Sequence, residues 1–362
     1  MSGTKPTVVV TGIAGNLGQR LLPQLAEFQV IGIDLKPPAG NSPDRFVALD
    51  LGEEESCREL YLLLRNTGPI ALIHLAFVMD QVRTGVLDVD RMWHINVAGT
   101  ARVMEAITEA NRDGAIVEKF IFPSSVSVYG PSLPGPVTED FPLGAHTLPY
   151  AVHKMECDRV VQQRAPSLRG CSAFLLRPHI FVGASMENYM VGAFRGTPNG
   201  RSPRAQRMRS QGRRLSCMLP YGKKYLENHI QFLHVDDMAS LLAFIVRKKE
   251  PEAQRLTILN VAGSGEPLTY AQCIEMAHAS LVRVPGKAAM HVALQLLWHW
   301  GISAIPPEAL PYMTGEYLMN TERLRKFLGS EYEHVIRHTI ADAFADSFAR
   351  PLQAAAQGSA AD

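Results

Sequence analysis

From Thr7 to Arg177, short runs of β-branched and other apolar residues alternate with longer stretches whose apolar positions recur at helical spacing. The short runs predict strands at Val8–Val10, Val30–Asp34, Phe46–Leu49, Ala71–Leu75, Phe120–Pro123 and Ala173–Leu176. They are almost continuously apolar, as strands covered on both faces must be. The longer stretches predict helices at Leu17–Phe28, Glu53–Arg65, Asp90–Ala110 and Tyr150–Ala165, with Pro23 weakening the middle of the first. Regular alternation of this kind implies βαβ units and a doubly wound α/β fold on a parallel sheet.

After Arg177 the alternation stops, and a segment rich in Gly, Pro and Arg runs from Val182 to about Gly222 like an insertion. A helix predicted at Val235–Val246 and a strand at Leu256–Val261 then return the chain to the sheet. Residues 1–176 and 232–263 are thus expected to form one part, and 177–231 with 264–350 a smaller, mixed C-terminal substrate part. The Ala-, Gly- and Ser-rich tail 351–362 is expected to fray. Ala288–Ile305 is apolar and holds Trp298 and Trp300, but His291, Gln295 and His299 interrupt it, so it reads as a core or interfacial helix and not a bilayer span.

Composition narrows the class. A chain of 362 residues, 46% apolar and 20% charged, can bury a sizeable core and is not disordered. Lys and Arg number 36 against 35 Asp and Glu, and a net charge of +1 supplies no bulk attraction to nucleic acid. The five cysteines are scattered without a C-x-x-C pair, which suggests reduced thiols and neither a disulfide framework nor a zinc ribbon. The first residues lack the apolar core of a signal peptide. The expectation is a cytoplasmic protein with no nucleic-acid, membrane or metal partner.

The first strand runs into Thr11-Gly12-Ile13-Ala14-Gly15-Asn16-Leu17-Gly18, a glycine-punctuated turn that opens a helix. Residues without Cβ let a backbone approach a pyrophosphate, and a helix N-terminus offers it free N–H groups. Asp34 ends the second strand, 22 residues after Gly12, where a carboxylate can receive ribose hydroxyls and repel the 2′-phosphate of NADP. This order of turn, helix and acid predicts a Rossmann-type part that binds NAD. Asp50, after the third strand, can reach the adenine amino group or be a plain surface acid. His74-Leu75-Ala76 ends the fourth strand, where small residues admit the cofactor, and His74 reads as structural.

The chemistry is expected at Ser124-Ser125-Val126-Ser127-Val128-Tyr129-Gly130, which follows the fifth strand, and at Tyr150-Ala151-Val152-His153-Lys154. Residues four apart share a helix face, so Lys154 stands beside the Tyr150 phenol. A free tyrosine titrates near pH 10, so its use as a base near neutrality needs about 3 units of stabilisation, roughly 4 kcal/mol. Lys154 and a cationic nicotinamide can contribute that, while Ser125 hydrogen-bonds the substrate oxygen.

These pieces together resemble the extended short-chain dehydrogenases/reductases of the NAD-dependent epimerase/dehydratase family, near its UDP-glucose 4-epimerase-like branch. Further matches are Asp50-Leu51, Asn96-Val97-Ala98-Gly99-Thr100, Leu176-Arg177-Pro178 and His234-Val235-Asp236-Asp237. The resemblance implies catalysis by Ser125, Tyr150 and Lys154. It implies NAD contacts at Gly12, Ala14, Gly15, Asn16, Leu17, Gly18, Asp34, Asp50, Leu51, Leu75, Ala76 and Asn96, with Tyr150, Lys154, Arg177 and Pro178 completing the set. Substrate contacts are expected at Ser125, Ser127, Tyr150, His179 and Asn188, and a homodimer through Asp90–Ala110 and Tyr150–Ala165.

Two departures bear on the substrate. Ile180 stands where sugar-nucleotide epimerases of the family carry an asparagine for the diphosphate; Asn188 either replaces it or merely forms a turn. Seven arginines lie in Arg195–Arg214, and they read as a lid over an anionic substrate or as a solvated, flexible insertion, with nucleic acid or an anionic membrane surface as a minor alternative. Val126-Ser127 replaces the Asp-Glu pair of family dehydratases and disfavours dehydration. The leading expectation is a nucleotide-sugar epimerase. The alternatives are a dehydrogenase of an apolar alcohol, with Leu296, Leu297, Trp298 and Trp300 lining its pocket, and a non-enzymatic dinucleotide sensor.

Overall fold

A computed structural model describes residues 5–79, 88–184, 186–249 and 256–349. The tail expected to fray, 351–362, lies outside them. Six strands open the chain: β1 (Thr7–Thr11), β2 (Gln29–Asp34), β3 (Arg45–Ala48), β4 (Ala71–His74), β5 (Lys119–Pro123) and β6 (Ser172–Pro178). With Leu256–Val261 they form one parallel sheet in the order Leu256–Val261, β6, β5, β4, β1, β2, β3. The sequence therefore reverses direction across the sheet between β1 and β4. In open α/β sheets such a switch point leaves a crevice at the carboxyl ends of the strands, where ligands bind.

Side chains of a strand alternate between faces, and here both faces are buried. Val8, Val10, Ile73 and Ile121 pack on Leu241, Leu242 and Ile245 of the helix Val235–Arg247. Val9, Leu72, Phe120 and Leu175 face the other way, onto Leu60 and Leu64 of Ser56–Thr67 and Val103 and Ile107 of Gly99–Arg112. A third cluster joins Tyr129, Leu148 and Ala151 to Met190, Phe194, Tyr270 and Phe344, so the C-terminal part packs directly on the segments that follow β5.

Three predicted elements change form. The first helix is α-helical only over Asn16–Leu21 and tightens to a 3₁₀ turn at Leu22–Leu25, because Pro23 has no N–H to continue the ladder. The predicted helix Asp90–Ala110 begins at Val89, loosens into a π segment at His94–Ala98 and ends at Arg112. The arginine-rich segment holds a helix, Pro203–Ser210, which the Ser202 hydroxyl caps by accepting from Ala205 N–H at 3.2 Å; its middle is not the flexible loop the composition suggested. All five cysteines are free thiols.

Candidate active site

The glycine turn is held from beneath by a chain of hydrogen bonds. Thr11 Oγ1 donates to His74 Nδ1 at 2.7 Å and accepts from Ala76 N–H at 3.2 Å, while His74 Nε2 lies 3.1 Å from Thr100 Oγ1. Thr100 Oγ1 in turn donates to the Asn96 carbonyl at 2.6 Å, which places the His74 proton on Nε2. Burial pushes the His74 imidazole down to about 3, so it stays neutral and structural.

Gly12 has φ +71°, and a Cβ there would lie 2.5 Å from Ala76 N. A Cβ on Gly18 would come within 2.7 Å of the Gly12 and Ile13 carbonyl oxygens. The turn can be closed only by glycine at both places, and Ala14, Gly15 and Asn16 are left exposed at its mouth. Gly15 is the N-cap of the following helix and brings no side chain to its first amides. Asp34 accepts from Ala14 N–H at 3.0 Å and Leu35 N–H at 2.8 Å, and its carboxylate keeps lone pairs for ribose hydroxyls. These features fit a dinucleotide.

The chemical residues converge where β5 ends. Ser125 caps the short 3₁₀ helix Val126–Tyr129, with Oγ 3.2 Å from Ser127 N and 3.0 Å from Ser127 Oγ. It is hydrogen-bonded to the phenol of Tyr150. Tyr150 and Lys154 come from the first turns of Pro149–Arg164, one helical turn apart. Burial raises the half-buried Tyr150 above the usual phenol range, and the Ser125 bond opposes this. Lys154 Nζ donates to the Pro123 carbonyl at 2.7 Å and lies 3.7 Å from the Phe77 ring centroid. Burial pulls its ammonium down to about 8, against the opposing pull of Cys157 and Asp158.

Several expected ligands are occupied inside the protein. Arg177 grips Asp158 through Nε and Nη2, both at 2.9 Å, and gives Nη1 to Tyr129 Oη and the Glu139 carbonyl. Its guanidinium is a buried strut whose hydrogen bonds go to protein groups; neighbouring Pro178 ends β6 without an N–H to offer. Asn96 exchanges both ends of its amide with the main chain of Val78, at 2.7 and 3.0 Å, next to Phe77. His179 accepts from Ile180 N–H and faces the Tyr317 carbonyl, and burial pushes it down to about 3, so the ring stays neutral.

Asp50 pairs with Arg91 at 2.5 Å and accepts from Gly52 N–H, while Leu51 is buried beside it with its carbonyl taken by Arg102. Asn188 caps the helix Tyr189–Arg195 and donates to the Phe181 carbonyl, leaving one N–H. Leu17 packs beneath the turn, and Leu75 N–H pairs with Thr11. Of the residues expected to line a pocket for an apolar alcohol, Leu296 and Trp300 face solvent, and Leu297 lines a cavity of about 60 Å³.

Residues that sequence reasoning passed over hold this arrangement. Phe77 packs edge-on against Tyr150 at 5.9 Å between ring centroids. Asp158 also accepts from Ser124 Oγ at 2.8 Å, tying the end of β5 to the helix Pro149–Arg164; its place one turn after Lys154 was the available signal. Among the described residues one group has metal-ligand spacing, His234, Asp237 and His338. Its atoms serve one another: Asp237 accepts from the His338 ring and main chain, the two rings stack at 3.8 Å, and His234 reaches Asp346. The group reads as a clamp for the C-terminal helix Ile340–Ala349.

No helix among the described residues is long and apolar enough to cross a membrane. Residues 8–262 match the family described as NAD dependent epimerase/dehydratase. UDP-glucose 4-epimerase 4 of Oryza sativa subsp. japonica is 31% identical over 261 residues, 66% of this chain and 67% of that protein. UDP-glucose 4-epimerase of Drosophila melanogaster is 26% identical over 257 residues, 65% of this chain and 70% of its own. The fold is similar to that of the Thermus thermophilus UDP-glucose 4-epimerase in complex with NAD, with TM-score 0.64 at 19% identity over 95% of this chain and 98% of that one. With the match over most of its length and the cradle that fits a dinucleotide, the chain belongs to the NAD-dependent epimerase/dehydratase family of enzymes, and its cofactor is NAD.

Proposed function

We propose that the protein is a nucleotide-sugar 4-epimerase of the UDP-glucose/UDP-galactose type, working through Ser125, Tyr150 and Lys154. The observation that supports this reading is that Ser125 follows β5, that Tyr150 interacts with it, and that Lys154, one helical turn on from Tyr150, bonds the last carbonyl of β5, beside the glycine cradle. The curated relatives named above, both UDP-glucose 4-epimerases, support the substrate class.

Bound NAD supplies the acceptor and later donor of the hydride. Gly12, Gly15 and Gly18 admit its phosphates, Asp34 receives the ribose of its adenosine half, and Lys154 stands where it can hold the nicotinamide ribose. The Ser125 hydroxyl hydrogen-bonds the sugar oxygen and keeps it against Tyr150 Oη. Tyr150 takes the hydroxyl proton as the sugar carbon is oxidised and returns it when the carbon is reduced from the opposite face, so no net redox occurs. Burial alone opposes a phenolate, so the Lys154 ammonium and the cationic ring must together supply the roughly 4 kcal/mol that use near neutrality demands. Ser127 and the remaining Asn188 N–H are the donors assigned to the substrate. Residues 177–231 and 264–349 form the substrate part, and the helices Gly99–Arg112 and Pro149–Arg164 are the surfaces assigned to a homodimer.

The test is proton NMR of UDP-galactose incubated with the purified protein and no added cofactor, after nicotinamide is shown to be released on denaturation. Anomeric signals of UDP-glucose are expected. Unchanged UDP-galactose over demonstrably bound NAD would overturn the substrate and move the reading to another nucleotide sugar or to a dehydrogenase.

A further inference from the structure

The net charge of +1 conceals a segregation. Residues 188–226 contain nine arginines and lysines and no aspartate or glutamate, and residues 276–307 contain Arg283 and Lys287 and again no acid. The fold brings the two stretches together. Cys217–Pro220 pairs in parallel with Leu281–Val284, Gly200 and Ser202 donate main-chain bonds to Ile302 and Gly301, and the Arg204 guanidinium lies 5.8 Å from the Trp300 ring centroid. The result is one lobe with eleven formal positive charges on a chain whose remainder sums to −10. Arg195 pairs with Glu187 and Lys223 with Glu227; the other nine cations have no carboxylate partner among the described residues.

The same lobe exposes apolar side chains that the core does not use. The helix Gly286–His299 buries Met290 and Leu294 against Leu310, yet Val292, Leu296 and the following Trp300 recur every four residues on its outer side and are 53%, 44% and 50% exposed. Val282, on the adjoining strand, is 44% exposed. A helix apolar on both sides is ordinarily covered, and cations around exposed Trp and Leu are the composition of helices that lie in a lipid headgroup layer.

We propose that this lobe docks on an anionic phospholipid surface, with the helix Gly286–His299 in the plane of the interface. Charge decides among the occupants. A second copy of the chain related by a two-fold axis would set the same cationic lobe against itself, an arrangement that like charges oppose. Nucleic acid would satisfy the arginines but has no use for Val282, Val292 and Leu296, and lacks here a row of stacking aromatics. Phospholipid satisfies both, since phosphates meet the guanidinium groups and acyl chains receive the aliphatic side chains. The proposal takes up the membrane-surface alternative for the arginine segment and departs from the expectation of no membrane partner.

The test is sedimentation of the full chain with vesicles of phosphatidylcholine alone and of phosphatidylcholine with about a third phosphatidylglycerol, at ~0.1 M salt. Binding to the anionic vesicles, at least about tenfold tighter than to the neutral ones and weakened by salt, is expected. The triple variant Arg204→Gln, Arg207→Gln, Arg213→Gln should lose about 100-fold in affinity, and Leu296→Ser should abolish the blue shift of tryptophan emission on binding, both with wild-type thermal unfolding. Equal affinity for the two vesicles, no binding to either, or tighter retention on single-stranded RNA overturns the proposal. So does a triple variant that raises KM for a nucleotide sugar while its vesicle affinity stays at the wild-type value, because the arginines would then belong to the active site.

Discussion

Lys154 holds its ammonium 3.7 Å from the centre of the Phe77 ring, beneath a segment that Asn96 pins through both main-chain groups of Val78. The aromatic face attracts the cation but replaces water poorly, and burial is the main reason the ammonium sits near 8. The lysine is thus kept at a stability cost.

That cost is measurable as a pH dependence. A lysine whose folded pKa is depressed from 10.5 to about 8 penalises the fold fully below pH 8, and the penalty disappears as pH rises toward 10.5. Lys154→Met should therefore abolish activity yet stabilise the protein below pH 8 by up to about 3 kcal/mol, less ~1 kcal/mol for the lost bond to Pro123. Chemical unfolding from pH 6 to 10 should show the gain shrinking with rising pH; a gain that grows with pH would contradict the assignment.

Tyr150→Phe removes one hydroxyl and keeps the ring that packs on Phe77. If Tyr150 carries the proton, kcat should fall about 10²- to 10⁴-fold while bound NAD is retained. A variant within a few-fold of wild type would return the protein to the non-enzymatic class.

Asp34→Asn keeps an oxygen for Ala14 N–H but discards the negative charge. The ratio of NADP to NAD affinity should rise by roughly tenfold or more, because the 2′-phosphate no longer meets a carboxylate. Titration of both dinucleotides against the cofactor-free protein reads this directly.

Gly12→Ala places a methyl 2.5 Å from a backbone nitrogen at φ +71°. Backbone strain and overpacking together should cost about 2–4 kcal/mol and release NAD. Retention of the cofactor through purification would show that the turn can yield.

Asp158→Asn leaves the Arg177 charge buried without its partner, and both side chains are almost fully excluded from solvent. Chemical denaturation should register a loss of about 3–5 kcal/mol. A loss under 1 kcal/mol would mean that Tyr129 and the Glu139 carbonyl suffice to hold the guanidinium.

What the sequence determined by itself was local in origin. Alternating apolar runs specify strands and helices through nearest neighbours, the glycine turn needs only eight consecutive residues, and Tyr150 with Lys154 needs one helical turn, so sheet, cradle and the neighbourhood of those two side chains on one helix were all legible. Tertiary structure decided whatever depended on partners distant in the chain. Arg177 became a strut because Asp158 and Tyr129 reach it from a helix and a turn, and Asn96 became a clamp because Val78 lies beside it across the crevice. The exposed face of Gly286–His299 and the acid-free stretch 188–226 gained meaning only when folding placed them side by side. A side chain's polar atoms satisfy the nearest partners that the fold supplies, and spacing along the chain does not encode which those are.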